Sequence, residues 1–422
     1  MTSDSFRAII VGAGPTGLAL GNLLAAANID FIILERHRSV ITESGACIML
    51  WPHTTRVLDQ LGLMDKAVRS ALPLDTKTVI DCNGKQVSSD PAFRLIEQNH
   101  GYPALAYPRP ELIKLLYEGL EDHMSKIKTS SYIQDIDMDV DGVQVRLKDG
   151  NVERGSLVIG CDVEREATKD GIAVREHRHI AEFECLFGSA TSISEVPARV
   201  FWESHGPGVA TQMASDGLTC RFSIWKRLAE PVERKRTSTE NETERFMEKM
   251  GEVLMAPGFY AKDLNKYCTW KRLVYQPEGV AEQWYHDRIV LCGESVAQMT
   301  SINGMGFNVA FQSAVLLANK LHAVLKSDPK PRTETLAAAL ADYEETRKTE
   351  TQAISKISVY YIRAATWSSW PGRVFIDYIL PWFWGETGLV RKLGEGISKG
   401  RKLDFIHYED KVGKVPWERY SN

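Results

Sequence analysis

Short apolar runs alternate with helical patterns at the start of the chain. Residues 7–11 form an apolar run that ends in glycines, residues 18–29 follow with helical spacing, and residues 31–35 form a second apolar run. A short apolar run bounded by turn residues predicts a buried strand, and apolar positions recurring every three or four residues predict a helix. The order strand, turn, helix, strand is typical of the opening of a doubly wound sheet.

The pattern of a strand followed by glycine returns late in the chain, after a stretch in which apolar and polar residues alternate. Residues 287–293 again predict a strand that ends in glycine, whereas apolar and polar residues alternate between about 180 and 228, which predicts half-buried strands. We therefore predict an α/β protein with a Rossmann-type fold, a second domain built on a β-sheet, here called the substrate domain, and a helical C-terminal tail. The predicted units are 1–75, 107–170 and 287–345 for the Rossmann-type domain, 76–106 and 171–286 for the substrate domain, and 346–422 for the helical region.

The remaining patterned segments predict four helices and one hairpin. The charged run 229–249 is expected to form a solvated helix or loop. Two strand-like stretches within 131–151 flank an Asp-Gly pair, which predicts a β-hairpin. The helices are expected at 54–70, 110–125, 306–326 and 333–365.

Composition excludes several classes of protein. The 422 residues carry a net charge of −4, so no nucleic-acid partner is expected. The seven cysteines are scattered without C-x-x-C or zinc spacing, which indicates free thiols, a reducing compartment and no metal site. The polar residues 1–7 do not resemble a signal peptide, and we expect a cytoplasmic location.

One late segment is unusually rich in tryptophan and aliphatic residues. It spans residues 367–384, and Arg373, Asp377 and two prolines interrupt it, so it is too broken to span a bilayer. Two interpretations stay open for it. The segment either lies on a membrane surface as a peripheral contact or packs on the body of the protein.

A glycine-rich turn follows the first predicted strand. Gly12, Gly14 and Gly17 fit the pattern G-x-G-x-x-G, in which glycine permits a tight turn, close approach of pyrophosphate and close packing of helix on strand. The following helix offers free N–H groups to phosphate. Glu35 ends the second strand, where a carboxylate can accept ribose hydroxyls. The glycines either hold a ligand or serve chain packing alone.

Several stretches resemble those of a known family. They are 12-GAGPTG-17 with 34-LER-36, 58-LDQLGL-63, 107-YPRPELIKLLYE-118 and 287-DRIVLCGESVAQMT-300. They resemble the FAD-dependent monooxygenases of the aromatic-hydroxylase type, and 396-GISKGRKLDFI-406 is similar to the fungal branch that epoxidises prenyl chains in meroterpenoid and indole-diterpene biosynthesis. The resemblance implies FAD reduced by NADPH, and oxygen transfer to a substrate in the β domain. It also implies FAD contacts from Gly12, Gly14, Gly17, Glu35, Arg36 and Arg109.

The sequence departs from the family pattern where the flavin would lie. Met49, Val163 and Phe307 stand where the family has small residues, and Glu294 stands where it has aspartate. A side chain at a position that needs glycine occupies space that a ligand needs, and overpacking typically costs about 1–3 kcal/mol. The sequence therefore favours a filled or repurposed flavin site without a cofactor. The alternative is that nearby backbone shifts and FAD is retained with NADPH.

Three functions follow from these alternatives. The first is a non-redox isomerase or cyclase of fungal terpenoid metabolism that works by acid–base chemistry. Glu294 is its leading catalytic candidate, because a partly buried carboxylate has a raised pKa, and Asp162, Glu166 and His53 are weaker ones. The second is an FAD- and NADPH-dependent monooxygenase that epoxidises or hydroxylates a prenylated or terpenoid substrate. The third is a partner protein without catalysis.

The expected substrate is an apolar polycyclic small molecule. This expectation rests on the family branch and on four tryptophans, which serve equally well as core residues. They are Trp202, Trp225, Trp367 and Trp370.

Overall fold

Two large sheets, one of six strands and one of eight, organise the fold. The computed structural model describes residues 5–41, 45–139, 142–161, 180–191, 193–233, 238–368, 370–379 and 394–418. Its strands are β1 (Arg7–Val11), β2 (Asp30–Leu34), β3 (Cys47–Leu50), β4 (Thr76–Asp81), β5 (Gln86–Asp90), β6 (Leu105–Pro108), β7 (Ile127–Lys128), β8 (Ile133–Met138), β9 (Val143–Leu147), β10 (Val152–Gly155), β11 (Leu157–Gly160), β12 (Ile180–Thr191), β13 (Val200–Gly206), β14 (Val209–Ser215), β15 (Thr219–Val232), β16 (Leu254–Ala256), β17 (Phe259–Tyr260), β18 (Cys268–Val280), β19 (Tyr285–His286), β20 (Ile289–Leu291) and β21 (Ala297–Gln298). Its helices are α1 (Pro15–Ala26), α2 (Pro52–Gln60), α3 (Met64–Ser70), α4 (Ala92–His100), α5 (Arg109–Glu118), α6 (His123–Lys126), α7 (Glu240–Lys249), α8 (Ala261–Tyr267), α9 (Gly306–Ser327), α10 (Thr333–Ala365) and α11 (Trp370–Val374).

The six-stranded sheet has the order β19-β20-β11-β1-β2-β7 and is parallel except for β19. Its central strands are buried on both faces, which explains their unbroken apolar runs. One face packs against α1 and α9 around the largest hydrophobic core, and the other packs against the meander β8-β9-β10. This arrangement confirms the predicted Rossmann-type α/β fold.

The eight-stranded sheet has the order β21-β18-β12-β15-β14-β13-β4-β5. Every neighbouring pair in it is antiparallel except β13 with β4. One face is covered by α7 and α8, whose apolar residues Phe246, Met247 and Leu264 join the second hydrophobic core. The long helix α10 covers part of the other face. The unit boundaries drawn from the sequence stay predictions.

Most of the predicted local structure is confirmed, with two helices shorter than expected. The hairpin is present as β8 and β9, and α9 and α10 match the two late helices. The predicted helix 54–70 is divided into α2 and α3, because Gly62 adopts a left-handed φ of 71° between them. The helix predicted at 110–125 ends at Glu118, and Asp122 follows with a φ of 56°.

The charged run 229–249 is divided between a strand and a helix. The strand β15 extends to Val232, and α7 begins after Thr239. The Thr239 hydroxyl accepts a hydrogen bond from the Glu242 backbone, and the Glu242 carboxylate accepts one from the Thr239 backbone. This reciprocal capping box fixes where the helix starts.

The C-terminal segment 394–418 returns across the Rossmann-type half of the molecule. Arg56 of α2 donates from Nε to Asp410 Oδ1 at 2.6 Å and from a terminal nitrogen to the Gly400 carbonyl at 2.9 Å. Gln60 exchanges two hydrogen bonds with the Leu403 backbone. These contacts hold residues 396–401 at the wall of the cavity described below.

Candidate active site

The turn between β1 and α1 is closed on one side and open on the other. A Cβ atom on Gly17 would lie 1.9 Å from the Gly12 carbonyl oxygen, so only glycine fits there. A Cβ on Gly14 would meet no atom within 4 Å. The helix α1 begins directly after Gly14 without a side-chain cap. The turn therefore presents free backbone N–H groups next to open space, the arrangement that a pyrophosphate needs.

Glu35 lies against this turn, as the sequence predicts. Its side chain is buried, and its Oε2 atom accepts a hydrogen bond of 2.8 Å from the Ala13 backbone N–H. Its Oε1 atom accepts another of 2.8 Å from the His37 backbone N–H. Oε1 also lies 2.6 Å from His37 Nδ1, so Oε2 is the oxygen with a lone pair left over among these contacts. The carboxylate is thus fixed beside the turn and can still accept a ribose hydroxyl.

Arg36 and Arg109 lie on different parts of the chain, after β2 and at the start of α5. Arg36 follows Glu35 and is half-buried. Arg109 begins α5, and its backbone N–H donates to the Ala46 carbonyl at 3.0 Å. The Arg109 side chain packs so tightly on Gly45 that a Cβ there would lie 2.9 Å from the Arg109 Cβ. Their contacts with a cofactor stay predictions.

The late glycine turn lies against the early one. Gly293 follows β20 with a φ of 75°, and a Cβ on it would lie 2.7 Å from the Thr16 methyl carbon in the first turn of α1. The two strand–glycine motifs are far apart in the sequence, but β1 and β20 both pair with β11 in the six-stranded sheet. Their glycine turns therefore form one surface. This close approach requires glycine at position 293.

Glu294 is exposed, so its expected partial burial is wrong. It lies in a single 3₁₀ turn, Gly293–Ser295, that directs it away from the core, and it does not line the cavity. Its catalytic role stays a prediction. Asp162 and Glu166 lie outside the described residues, as does Val163.

Phe307 does not fill the site, contrary to the expectation from the sequence. Its ring lies 5.6 Å from that of Phe311, one helical turn further along α9, and packs on the core of the Rossmann-type half. Met49 does line the cavity. It packs on Gly304, where a Cβ would lie 2.7 Å from the Met49 Cβ. Of these two large side chains, Met49 therefore lies in the cavity wall and Phe307 does not.

The start of α9 is tied to the segment that follows β3. The buried Asn308 side chain accepts hydrogen bonds from the Trp51 backbone N–H and the Thr54 hydroxyl, and it donates to the carbonyls of Met49 and Gly304. The N terminus of this 22-residue helix has no side-chain cap. Gly304 and Met305, just before it, line the cavity. A polarised helix end therefore faces the cavity.

A cavity of about 1460 Å³ lies between the eight-stranded sheet, α9, α10 and residues 396–401. Its volume exceeds the roughly 300–1,000 Å³ of most small-molecule pockets, so a large ligand fits beside a cofactor ring. Apolar side chains dominate its walls. Among them are Met49, Phe187, Phe201, Trp225, Ile354 and Ile376.

The four tryptophans of the sequence analysis have different places. Trp225 lines the cavity with a buried indole nitrogen that has no hydrogen-bond partner among the described residues. Trp202 belongs to the second hydrophobic core, on the opposite side of the sheet. Trp367 lies under the Arg373 guanidinium at 3.7 Å, and Trp370 is 78% exposed. One of the four is therefore placed to touch a ligand in this cavity.

The cavity opens through an apolar rim on α10 and on the π-helical turn Phe375–Ile379, which follows α11. Ile357, Tyr360, Phe375 and Ile379 line the cavity and are also exposed, and Trp370 lies nearby in sequence on α11. No helix in the part of the chain that the structure describes is long and apolar enough to cross a bilayer. A peripheral membrane contact at this rim stays a prediction.

His53 lies in the cavity wall as a buried, uncharged ring. Its side chain is 6% exposed, and its Nδ1 atom has no hydrogen-bond partner among the described residues. Burial, with the nearby Arg347 and His100, lowers the pKa of His53 to about 3. The ring is thus a weak base at neutral pH, which disfavours its predicted role in proton transfer.

Lowering the pH from 7 to 5 is expected to remove about 2 kcal/mol of unfolding free energy through His53. The unfolded ring gains a proton near pH 6.5, whereas the folded ring stays neutral to about pH 3. The unfolded state therefore binds more protons in this window, so stability falls as the pH falls. Denaturant titrations of a His53→Gln variant should show a shallower pH slope. The exposed His407→Gln serves as the control; an unchanged slope in His53→Gln would argue against a neutral buried ring.

A charged cluster that the sequence analysis did not single out lies on the sheet wall. Glu203 of β13 is fully buried and accepts hydrogen bonds from His205 Nε2 at 2.8 Å, from Gln212 Nε2 at 2.7 Å and from the Tyr361 hydroxyl. The Lys77 Nζ atom of β4 lies 3.2 Å from Glu203 Oε2. Lys77, Gln212 and Tyr361 line the cavity, and Glu203 and His205 lie behind them.

Charge pairing overrides burial in this cluster. Burial alone would lower the pKa of Lys77, but the Glu203 carboxylate and the Tyr361 hydroxyl raise it. Burial alone would raise the pKa of Glu203, but Lys77 and His205 hold it well below the ordinary value. Burial and Glu203 together raise the pKa of Tyr361. At neutral pH the cluster is therefore an ammonium–carboxylate pair beside a neutral phenol.

A second ion cluster joins α10 to the C-terminal segment. The buried Arg347 donates to the Val309 carbonyl at 3.0 Å and to the Ser313 hydroxyl at 3.1 Å. Arg401 donates two hydrogen bonds, of 2.8 and 2.6 Å, to the Glu350 carboxylate, which also accepts one from Arg347. Such bidentate pairs add geometric specificity. The cluster fixes the C-terminal segment as a wall of the cavity.

Comparisons with known proteins agree with this geometry. Residues 5–357 match the model of a family described as an FAD binding domain. Across 98% of its length, and 99% of the relative, the chain is 32% identical to the FAD-dependent monooxygenase srdH of Neurospora crassa. It is 28% identical to the FAD-dependent monooxygenase dpasE of Apiospora sacchari, over the whole chain and 91% of the relative. The structure of HpxO from Klebsiella pneumoniae, complexed with FAD and uric acid, shares the fold with a TM-score of 0.75 at 19% identity, over 93% of this chain and 96% of that one.

The chain belongs to the FAD-dependent monooxygenase family. The expectation that no cofactor is bound is wrong, because the family match and the relatives indicate FAD. The residues at the turn and around the cavity are compatible with bound FAD. The turn is open at Gly14, Glu35 is fixed beside it, and Phe307 leaves the cavity free.

Proposed function

We propose that the chain is an FAD- and NADPH-dependent monooxygenase that epoxidises or hydroxylates an apolar polycyclic substrate of the prenylated or terpenoid type in fungal secondary metabolism. The observation that supports this most strongly is the large apolar cavity between the sheet and the start of α9. FAD held here would supply the redox chemistry, with hydride from NADPH, one atom of O2 going to the substrate and the other leaving as water. The substrate is expected to lie against the sheet.

The residues of the chain then have separate tasks. The N terminus of α1 and the Glu35 carboxylate bind the nucleotide end of the cofactor. The apolar walls exclude water and orient the substrate, since a largely apolar pocket with few polar groups favours one binding mode. The backbone before α9, at Gly304 and Met305, lines the cavity and would help to hold a flavin ring bound there.

A non-redox isomerase or cyclase has lost its support in the structure. That hypothesis needed a filled flavin site and an acid–base group in the cavity. Phe307 packs away from the cavity, and Glu294 is exposed outside it. The lowered pKa of His53, about 3, makes that ring a poor base. No observation on the described residues favours this function over oxygen transfer.

The proposed function is tested by turnover of the FAD-loaded protein. A panel of prenylated indoles, prenylated phenols and polycyclic terpenes is incubated with NADPH under ¹⁸O2. The expected result is stoichiometric flavin absorbance, substrate-stimulated NADPH oxidation, and a product that gains one labelled oxygen atom. Protein stripped of FAD is the control and should recover activity on FAD addition. Turnover without NADPH to a product of unchanged mass would refute the proposal.

A further inference from the structure

We propose that Lys77 is the substrate anchor of this cavity, a charged donor that binds an acceptor oxygen on an otherwise apolar polycyclic molecule. The inference rests on the proposed function and specifies its substrate. The ligand class is a polycycle bearing a hydroxyl or carbonyl at the end that meets the sheet. A plain hydrocarbon of the same shape would lack this contact.

The position of Lys77 supports this role. It lies on β4 with Phe201 of β13 as its partner across the parallel pair, and both side chains line the cavity. Its Nζ atom lies 3.2 Å from Glu203 Oε2 and donates to the Tyr361 hydroxyl at 3.1 Å. An ammonium group has three donors. Two are accounted for, and the third is left for an acceptor inside the cavity.

The groups behind Lys77 do not compete for the substrate. Both Glu203 oxygens are occupied by hydrogen bonds from the protein, and the carboxylate is fully buried. The Gln212 amide donates to Glu203 and to the Ile302 carbonyl. Their effect is to hold a cation at the surface of an apolar cavity, where an unpaired charge would be strongly disfavoured. A paired cation therefore remains in place to meet an oxygen.

Three other cations in the wall are paired. Arg347 and Arg401 share Glu350, and Arg363 pairs with Glu182 and Glu278. Arg221 also lines the cavity, and its buried Nε atom has no hydrogen-bond partner among the described residues. It lies on β15 opposite Ala214, whereas Lys77 lies on β4, with β14 and β13 between the two strands. Arg221 and Arg227, which lies on the same strand and also lines the cavity, are thus the rival anchors that an experiment must separate from Lys77.

Binding of a matched pair of probes tests the proposal on the FAD-loaded protein. The probes are the tricyclic terpenoid phenol ferruginol and its deoxy hydrocarbon abietatriene, which differ by one oxygen atom. Equilibrium dialysis measures the affinity for each. A hydrogen bond to a charged group contributes roughly tenfold or more in affinity. Lys77→Met is therefore expected to weaken ferruginol binding by about tenfold or more, with abietatriene binding unchanged within about twofold.

Controls separate anchoring from a change in fold. Lys85→Met, on the exposed turn between β4 and β5, should bind both probes as the parent does. Because Lys77→Met leaves Glu203 without its cation, the double variant Lys77→Met/Glu203→Gln is measured too and should lose the same discrimination. Lys77→Arg should keep part of it.

Three results would overturn the proposal. They are equal losses for both probes, no loss for either, and loss of discrimination in Arg221→Met or Arg227→Met but not in Lys77→Met. NADPH oxidation is followed in the same samples. Absence of NADPH-dependent turnover with intact discrimination between the probes would defeat the proposed function alone.

Discussion

A Gly14→Val variant is expected to fold like the parent protein and to bind FAD roughly a hundredfold more weakly. Gly14 has an extended backbone with φ −69° and ψ 179°, which valine adopts without strain. A Cβ there meets no protein atom within 4 Å, so the added methyl groups do not disturb the fold. They occupy the space through which a pyrophosphate approaches the N terminus of α1. Equilibrium dialysis with FAD and the denaturation midpoint measure the two effects separately.

The matched control for Gly14→Val is on the same helix. Ala25 lies on the exposed side of α1, so Ala25→Val adds a branched side chain away from the turn and should leave FAD affinity unchanged. Gly17→Ala should differ from both, because its Cβ would lie 1.9 Å from the Gly12 oxygen and the turn itself must move. Parent-like FAD affinity in Gly14→Val would show that the cofactor does not use this turn.

A Glu203→Gln variant is expected to lose about 3–5 kcal/mol of unfolding free energy. Gln keeps the shape and the contact with His205 but leaves the largely buried Lys77 ammonium without a counter-charge. Removing one member of a buried pair is far more damaging than the pair's net contribution, because the remaining charge stays desolvated. Denaturant unfolding at neutral pH measures the loss.

Two control variants test whether the loss of stability in Glu203→Gln comes from an unpaired buried charge. Glu252→Gln removes a carboxylate from the exposed pair with Lys262 and should change stability by less than about 1 kcal/mol. The double variant Lys77→Met/Glu203→Gln should recover most of the deficit, because no unpaired charge remains. A deficit below about 1 kcal/mol in Glu203→Gln would contradict a buried ion pair at this place.

The contribution of Glu203 to the free energy of unfolding decreases at acid pH. Its folded pKa is depressed, so its contribution to stability is present above the ordinary glutamate pKa of about 4.3 and is lost as the pH falls below it. Glu203→Gln should therefore flatten the acid side of the stability curve in that range.

The nucleotide end of the site could be predicted from the sequence because its parts are local. Gly12, Gly14 and Gly17 follow one strand, and Glu35 ends the next. The apolar runs of β1 and β2 fix the register of the sheet, and the register brings Glu35 to the turn. Spacing along a strand–helix–strand unit is enough to define such geometry.

The substrate end could not be predicted because its parts meet only in three dimensions. Lys77 and Tyr361 are separated by 284 positions, and Glu203 and Tyr361 by 158. Their meeting depends on the parallel pairing of β4 with β13 and on how α10 crosses the sheet. No local spacing encodes either relation.

The error about Phe307 has a different cause. Its position in the family pattern shows that it replaces a small residue, but not which way the side chain points. On α9 it faces Phe311 and the core. Comparison of residue sizes therefore indicated a filled cofactor site where the bulk lies in the hydrophobic core instead.

Residues 396–401 complete the cavity, which affects the order in which its parts can form. Walls of the cavity come from Met49 near the start of the chain and from residues 396–401 near its end. Synthesis proceeds from the N terminus, so the β1-α1-β2 unit exists long before that final wall leaves the ribosome. A nascent chain therefore has the segments of the nucleotide-binding turn well before it has all the walls of the substrate cavity. Shortening the C terminus into this segment would leave that cavity permanently open.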